Sequence, residues 1–97
     1  MSRNNNENTL GEAIEMLLKA YGLEEGYYAA AVVTHWEELM GPAIARRTQS
    51  IKIKNGVLVV KIESAALRQE LSYGKEKIVQ QINQKLGARI VKSVELQ

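Results

Sequence analysis

The sequence has no cysteine and no aspartate, and its one histidine is His35. Without cysteine there is no disulfide framework and no thiolate metal site, which suits a reducing compartment. With glutamate as the only carboxylate and a lone imidazole, no cluster has metal-ligand spacing. Ser64 has no base near it in sequence, and a helix-capping role accounts for it. No G-x-x-x-x-G-K-[ST] run occurs, which argues against an ATP-hydrolysing loop of that type. No apolar run approaches the ~20 residues of a membrane span, and the polar start MSRNNNENT has no signal-peptide core. The expectation is a cytoplasmic chain that is not an enzyme, needs no cofactor or metal, and has no membrane partner.

What is present is an ordinary hydrophobic share, 45% of 97 residues, enough for one domain with a modest core. The charge is unevenly placed. Residues 1–45 carry Arg3 and Lys19 against seven glutamates, a net −5, whereas residues 46–97 carry eleven Lys or Arg against four glutamates, a net +7. Such a split suggests a second half that faces a polyanion, or a solvated surface whose charges pair off. The acidic helices of the front half offer a surface for a basic protein partner, or simply a solvated one.

The pattern of residues predicts the elements in turn. The Asn-rich residues 1–8 read as a disordered lead, followed by one domain over 9–97. Thr9 with Glu12 fits a capping box, after which Leu10, Ile14, Leu17, Leu18 and Tyr21 share a helical face until Gly22. A second helix runs from about Glu24 to Met40 with Tyr28, Val32, Trp36 and either Leu39 or Met40 on its stripe. Gly41 stops it, and Pro42 opens a short helix to Arg47. Ile51 to Lys54 alternates, Asn55-Gly56 is the favoured type I′ turn, and Val57 to Glu63 returns. That turn pairs Lys54 with Val57, Ile53 with Leu58, Lys52 with Val59 and Ile51 with Val60. One face then carries Ile51, Ile53, Leu58, Val60 and Ile62 for the core. The other carries Lys52, Lys54, Lys61, Val57 and Val59, for solvent or for docking. Ser64 caps a helix holding Leu67 and Leu71. Gly74 breaks it, and Ile78, Val79, Ile82 and Leu86 form the next stripe, ended by Gly87. Residues 88–96 read as a third strand in which either Val91 or Lys92 faces the core. The fold class is α+β in two layers: helices over a three-stranded mixed sheet, with an N-terminal helical extension.

One series of residues resembles a known family. Trp36, Leu39-Met40-Gly41, Ile44-Ala45, the hairpin Asn55-Gly56-Val57-Leu58-Val59-Val60, the segment SAALRQEL from Ser64, and Ile78-Val79, Ile82-Asn83 and Leu86-Gly87 are similar to the DciA family over about residues 27–96. The resemblance implies a type II KH-like fold, whose α-β-β-α-α-β order matches residues 42–96. It also implies affinity for DNA and a role with the bacterial replicative helicase, as its loader or operator. KH domains that grip nucleic acid do so with a GxxG loop between paired helices. That junction here is Ser72-Tyr73-Gly74-Lys75. Many family members have a second Trp after the hairpin, where Leu67 stands.

The candidate nucleic-acid contacts are Arg46, Arg47, Lys52, Lys54 and Lys61 around the hairpin's outer face, then Arg68, Tyr73, Lys75 and Lys77 from the later helices. Lys85, Arg89 and Lys92 add to the second group. Several cations on one face suffice for salt-sensitive, sequence-tolerant binding, because released counterions supply the affinity. The partner is expected to be DNA, single- or double-stranded, with RNA as the alternative. A protein-interaction domain that uses the Lys-Val face is the third reading. Trp36 could stack a base, but its place on an apolar stripe favours core packing. Tyr73 either stacks a base or covers the core rim. His35, with Glu38 three residues on, reads as a helix-surface residue, and Glu24-Glu25 and Glu37-Glu38 as solvated or near a helix dipole.

Overall fold

Asn55-Gly56 does what that dipeptide does best. Both residues take positive φ, 53° and 80°, which a type I′ turn needs and which matches the twist of the strands it joins. Around it the chain forms an antiparallel hairpin of β1 (Thr48–Lys54) and β2 (Val57–Ile62) in the expected register. A bulge between Thr48 and Ser50 extends β1 three residues further upstream than the alternation alone suggested. The structure is a computed structural model that describes the backbone of residues 2–97 and the side chains of residues 10–97.

The third strand, β3 (Ser93–Leu96), pairs parallel to β2, giving a mixed sheet of order β1-β2-β3. Parallel pairing requires a crossover, and two helices supply it: α4 (Ala65–Ser72) and α5 (Lys75–Leu86). Ser64 caps α4, its Oγ accepting the Leu67 N–H at 3.2 Å. Gly87, at φ 75°, ends α5 in the left-handed conformation expected of a C-terminal glycine. Ahead of the sheet lie α2 (Glu24–Met40) and α3 (Pro42–Arg47), with the predicted bounds. Together the elements make the two-layer α+β architecture with an N-terminal helical part, and α3-β1-β2-α4-α5-β3 is the element order expected over residues 42–96.

The core forms where α2 and α5 lie on the sheet. Val32 and Trp36 of α2, Ile78 and Ile82 of α5, and Ile53, Leu58, Val60, Ile62, Val91 and Val94 are all buried. Each such side chain contributes roughly 1.5–3 kcal/mol relative to exposure. Trp36 is a core residue, as its stripe indicated. Its Nε1 donates to Thr48 Oγ1 at 2.9 Å, and Thr48 Oγ1 donates to the Ile44 carbonyl at 2.7 Å. The one polar atom of the indole is thereby satisfied at the point where α3 turns into β1.

Three expectations change. The helix α1 spans Ser2–Ala20 and runs through the Thr9–Glu12 box, so that box does not mark its start. The expected disordered lead, residues 1–8, falls on side chains outside the described residues. The third strand is shorter than residues 88–96 because Asn83 captures its first half. Asn83 Oδ1 accepts the N–H groups of Ile90 (3.1 Å) and Val91 (2.9 Å), and its Nδ2 donates to the Val91 carbonyl at 2.8 Å. Groups that would have extended the ladder are held against α5 instead, with Val91 buried and Lys92 exposed. Glu25 is the third change. It is not simply solvated, since its carboxylate accepts the backbone N–H of Asn55 and ties the start of α2 to the hairpin turn.

Candidate nucleic-acid interface

The register of the sheet builds the candidate surface row by row. Side chains alternate across a pleated sheet, so the face away from α2 and α5 carries every second residue. One row is Lys54, Val57 and Ser93; the next is Lys52, Val59 and Glu95. Then come Ser50 and Lys61. The three lysines are exposed, and the two valines between them are half-buried. Diagonal neighbours on such a sheet lie roughly 7–8 Å apart, so Lys52 has Lys61 and Lys54 as near neighbours. None of the three has a carboxylate within ion-pair distance among the described residues. Glu95 is the acid within these three rows, and its carboxylate accepts the Gln97 side-chain amide at 2.6 Å.

Arg46 and Arg47 end α3, at the opposite end of the sheet from the turn. The Arg47 carbonyl accepts the Glu63 N–H at 2.9 Å, which holds α3 against the exit of β2. Both arginines line an open depression of about 380 Å³ with Glu63 and Leu67. An acid therefore tempers that pair, and Leu67 sits beside it. Arg68 is less available than a surface cation. It is half-buried, and its Nη1 donates to the Ile62 carbonyl at 2.5 Å, closing the end of β2.

Tyr73, Lys75 and Lys77 form a separate group at the α4–α5 junction, around an open depression of about 680 Å³ with Gly74 and Gln80. Tyr73 is 80% exposed, and its hydroxyl accepts from Gln69 Nε2 at 3.1 Å. It does not cover the core rim. α5 is held near the turn end by Asn83, so its first turn points to the far end of the sheet, towards the side of Arg46 and Arg47. The junction lysines thus lie on the helix layer and the hairpin lysines on the sheet layer.

Of the other cations, Lys85 is engaged. Its Nζ lies 3.1 Å from Glu38, which also meets His35 Nδ1 at 3.3 Å. The Lys85 hydrogen bond, then its charge, then the His35 contact hold the Glu38 carboxyl below the ordinary carboxylate range. This cluster joins α2 to α5 and accounts for His35 and Glu38. Among the described residues, no group of three or more His or Glu side chains is placed to hold a metal ion. No helix there is long and apolar enough to cross a membrane.

Reasoning from sequence missed Asn83, Thr48 and Glu25 as structural residues. Asn83 had one available signal: a polar residue on the inner stripe of α5, next to Ile82, must find partners.

The fold and its open face define a class: a small two-layer α+β domain with helices on one side of a mixed sheet and a lysine-bearing surface on the other. The family model described as Dna[CI] antecedent, DciA, matches residues 9–96, nearly the whole chain, and the chain belongs to the DciA family. That family implies a role in loading the bacterial replicative helicase. No curated protein matches the chain.

Proposed function

We propose that the chain is a non-enzymatic accessory of bacterial DNA replication, working in the cytoplasm, that binds DNA through the open sheet face while acting with the replicative helicase. Three lysines around two half-buried valines, with no helix over them among the described residues, carry the reading. Lysines at this spacing suit phosphates spread along a backbone, and the flat valine strip tolerates sugars and base faces without reading base edges. Binding is then sequence-tolerant and falls steeply with salt. Arg46 and Arg47 extend the cationic track past Lys61, and Tyr73, Lys75 and Lys77 serve a strand that passes over the helix layer. The KH-like element order supports the same assignment, although Ser72-Tyr73-Gly74-Lys75 replaces the two-glycine clamp.

Fluorescence anisotropy with single-stranded DNA, duplex DNA and RNA of equal length, at low and near-physiological salt, tests this. DNA preference with steep salt dependence is expected. Reversing charge with Lys52→Glu and Lys54→Glu should weaken binding and flatten the salt slope by about two, one per lost phosphate contact. An unchanged affinity and slope would remove the sheet face from the interface. RNA preference would favour an RNA-binding module, and no binding at low salt would leave a protein-interaction domain.

A further inference from the structure

Among the described residues, the helix α1 carries an apolar stripe that is left mostly uncovered. Leu10, Ile14, Leu17 and Tyr21 are 63%, 45%, 56% and 72% exposed. Leu18, on the neighbouring position, is half-buried in the seam with α2, where Tyr28 and Leu86 lie and which Ile14 borders while still facing solvent. The helix projects from the sheet domain and makes the molecule 52 Å long against 26 and 21 Å across. An unpaired stripe on a projecting helix is a surface that awaits an occupant.

The spacing of the stripe says what fits. The steps from Leu10 to Ile14, Leu17 and Tyr21 are four, three and four, the alternation of a coiled-coil seam. That series reads the same in both directions. Turned end over end about its midpoint, the stripe meets itself in register: Leu10 opposite Tyr21 and Ile14 opposite Leu17, four complete apolar layers. This is the self-complementarity an isologous two-fold contact requires. The flanking positions Gly11, Ala13, Leu18 and Ala20 are small or apolar, so no like charges meet across the seam. The reversed arrangement also brings Lys19 of one copy level with Glu12 of the other, and Glu15 level with Met16. Along the stripe, from residue 10 to 21, a strongly basic partner helix would find only Glu12 and Glu15, offset by Lys19.

We propose that α1 is a self-pairing arm: two copies of the chain associate antiparallel through Leu10, Ile14, Leu17 and Tyr21. The pairing uses none of the sheet-face lysines, and it stands whether or not those faces bind DNA. The seam is short, so the dimer is a weak one.

Sedimentation equilibrium of the full chain, from low micromolar to sub-millimolar concentration, should give a mass rising from monomer to dimer. The double variant Leu10→Glu/Leu17→Glu should stay monomeric throughout, with an unchanged melting curve in dilute solution. A wild-type chain that remains monomeric at every concentration overturns the proposal and assigns the stripe to another protein's helix. Orientation has its own readout, because the sequence contains no native cysteine. Ile14→Cys mixed with Leu17→Cys should oxidise mainly to the mixed disulfide. Homodimeric cross-links of Ile14→Cys alone, at equal or greater yield, would overturn the antiparallel arrangement.

Discussion

The helices α1 and α5 show the same kind of apolar periodicity and meet opposite fates. The stripe of α5 is buried at Ile78 and Ile82, 5% and 0% exposed, while Leu17 of α1 is 56% exposed. The difference lies in what each helix is tied to. The chain after α5 must return to pair in parallel beside β2, so α5 is drawn across the sheet as part of a crossover. Asn83 and Lys85 then fasten it, one to the Val91 segment and the other to Glu38 of α2. Among the described residues α1 is tethered by the tight turn at Gly22, where Leu23 N–H reaches the Leu18 carbonyl at 2.8 Å, and by the narrow seam of Leu18 with α2. Periodicity states that a helix has an apolar face; connectivity decides whether the same chain covers it.

Truncating the two faces should separate them most sharply. Ile82→Ala should cost about 2–5 kcal/mol in urea unfolding, since a fully buried side chain leaves a cavity. A loss under about 1 kcal/mol would mean that α5 is not packed as described. Asn83→Leu should cost about 1–3 kcal/mol by leaving the buried N–H and carbonyl of Val91 unpaired. Faster amide exchange should be confined at first to residues 88–92, and exchange spread evenly over the sheet would contradict a local clasp.

Glu38→Gln should have a smaller effect, because the pair it forms is exposed and screened by salt. Its signature is in pH. The folded-state pKa of Glu38 is lowered, so its contribution is present above the ordinary carboxylate range and is lost as pH falls through the lowered value. The difference in melting temperature between wild type and variant should shrink on acidification; a difference that grew would reverse the assignment. Leu17→Ala should change stability least, by under ~0.5 kcal/mol in dilute solution. A large loss there would show that α1 is buttressed after all.

The turn and register of the hairpin were legible to the residue because their information is local. Two turn residues with positive φ set the register, and the register sets which face is core. The ends of α2 and α3 were equally plain, since Gly41 and Pro42 act on their immediate neighbours. The first half of the third strand was not legible. Its fate rests on an amide seven and eight residues earlier that competes for the same backbone groups, and β-branched composition is blind to that competition. Arg68 looked like one more surface cation because nothing in its own segment announces the carbonyl of Ile62. The outer-face lysines followed directly from the register. The division of the remaining cations between the sheet layer and the helix layer depended on where α5 begins, which only the crossover determines.

The carbonyl of Gly56 accepts the N–H of Lys92 at 2.7 Å and that of Ser93 at 3.4 Å. A Cβ at Gly56 would stand 3.1 Å from Cδ of Lys92. The hairpin bend is therefore also the landing place of the final strand. A local turn and a long crossover thus share one anchor, and the loop entropy of the crossover is repaid in part by bonds made at the bend. A fault at this one glycine would be felt twice, once in the pairing it directly shapes and again in the strand that lands on it.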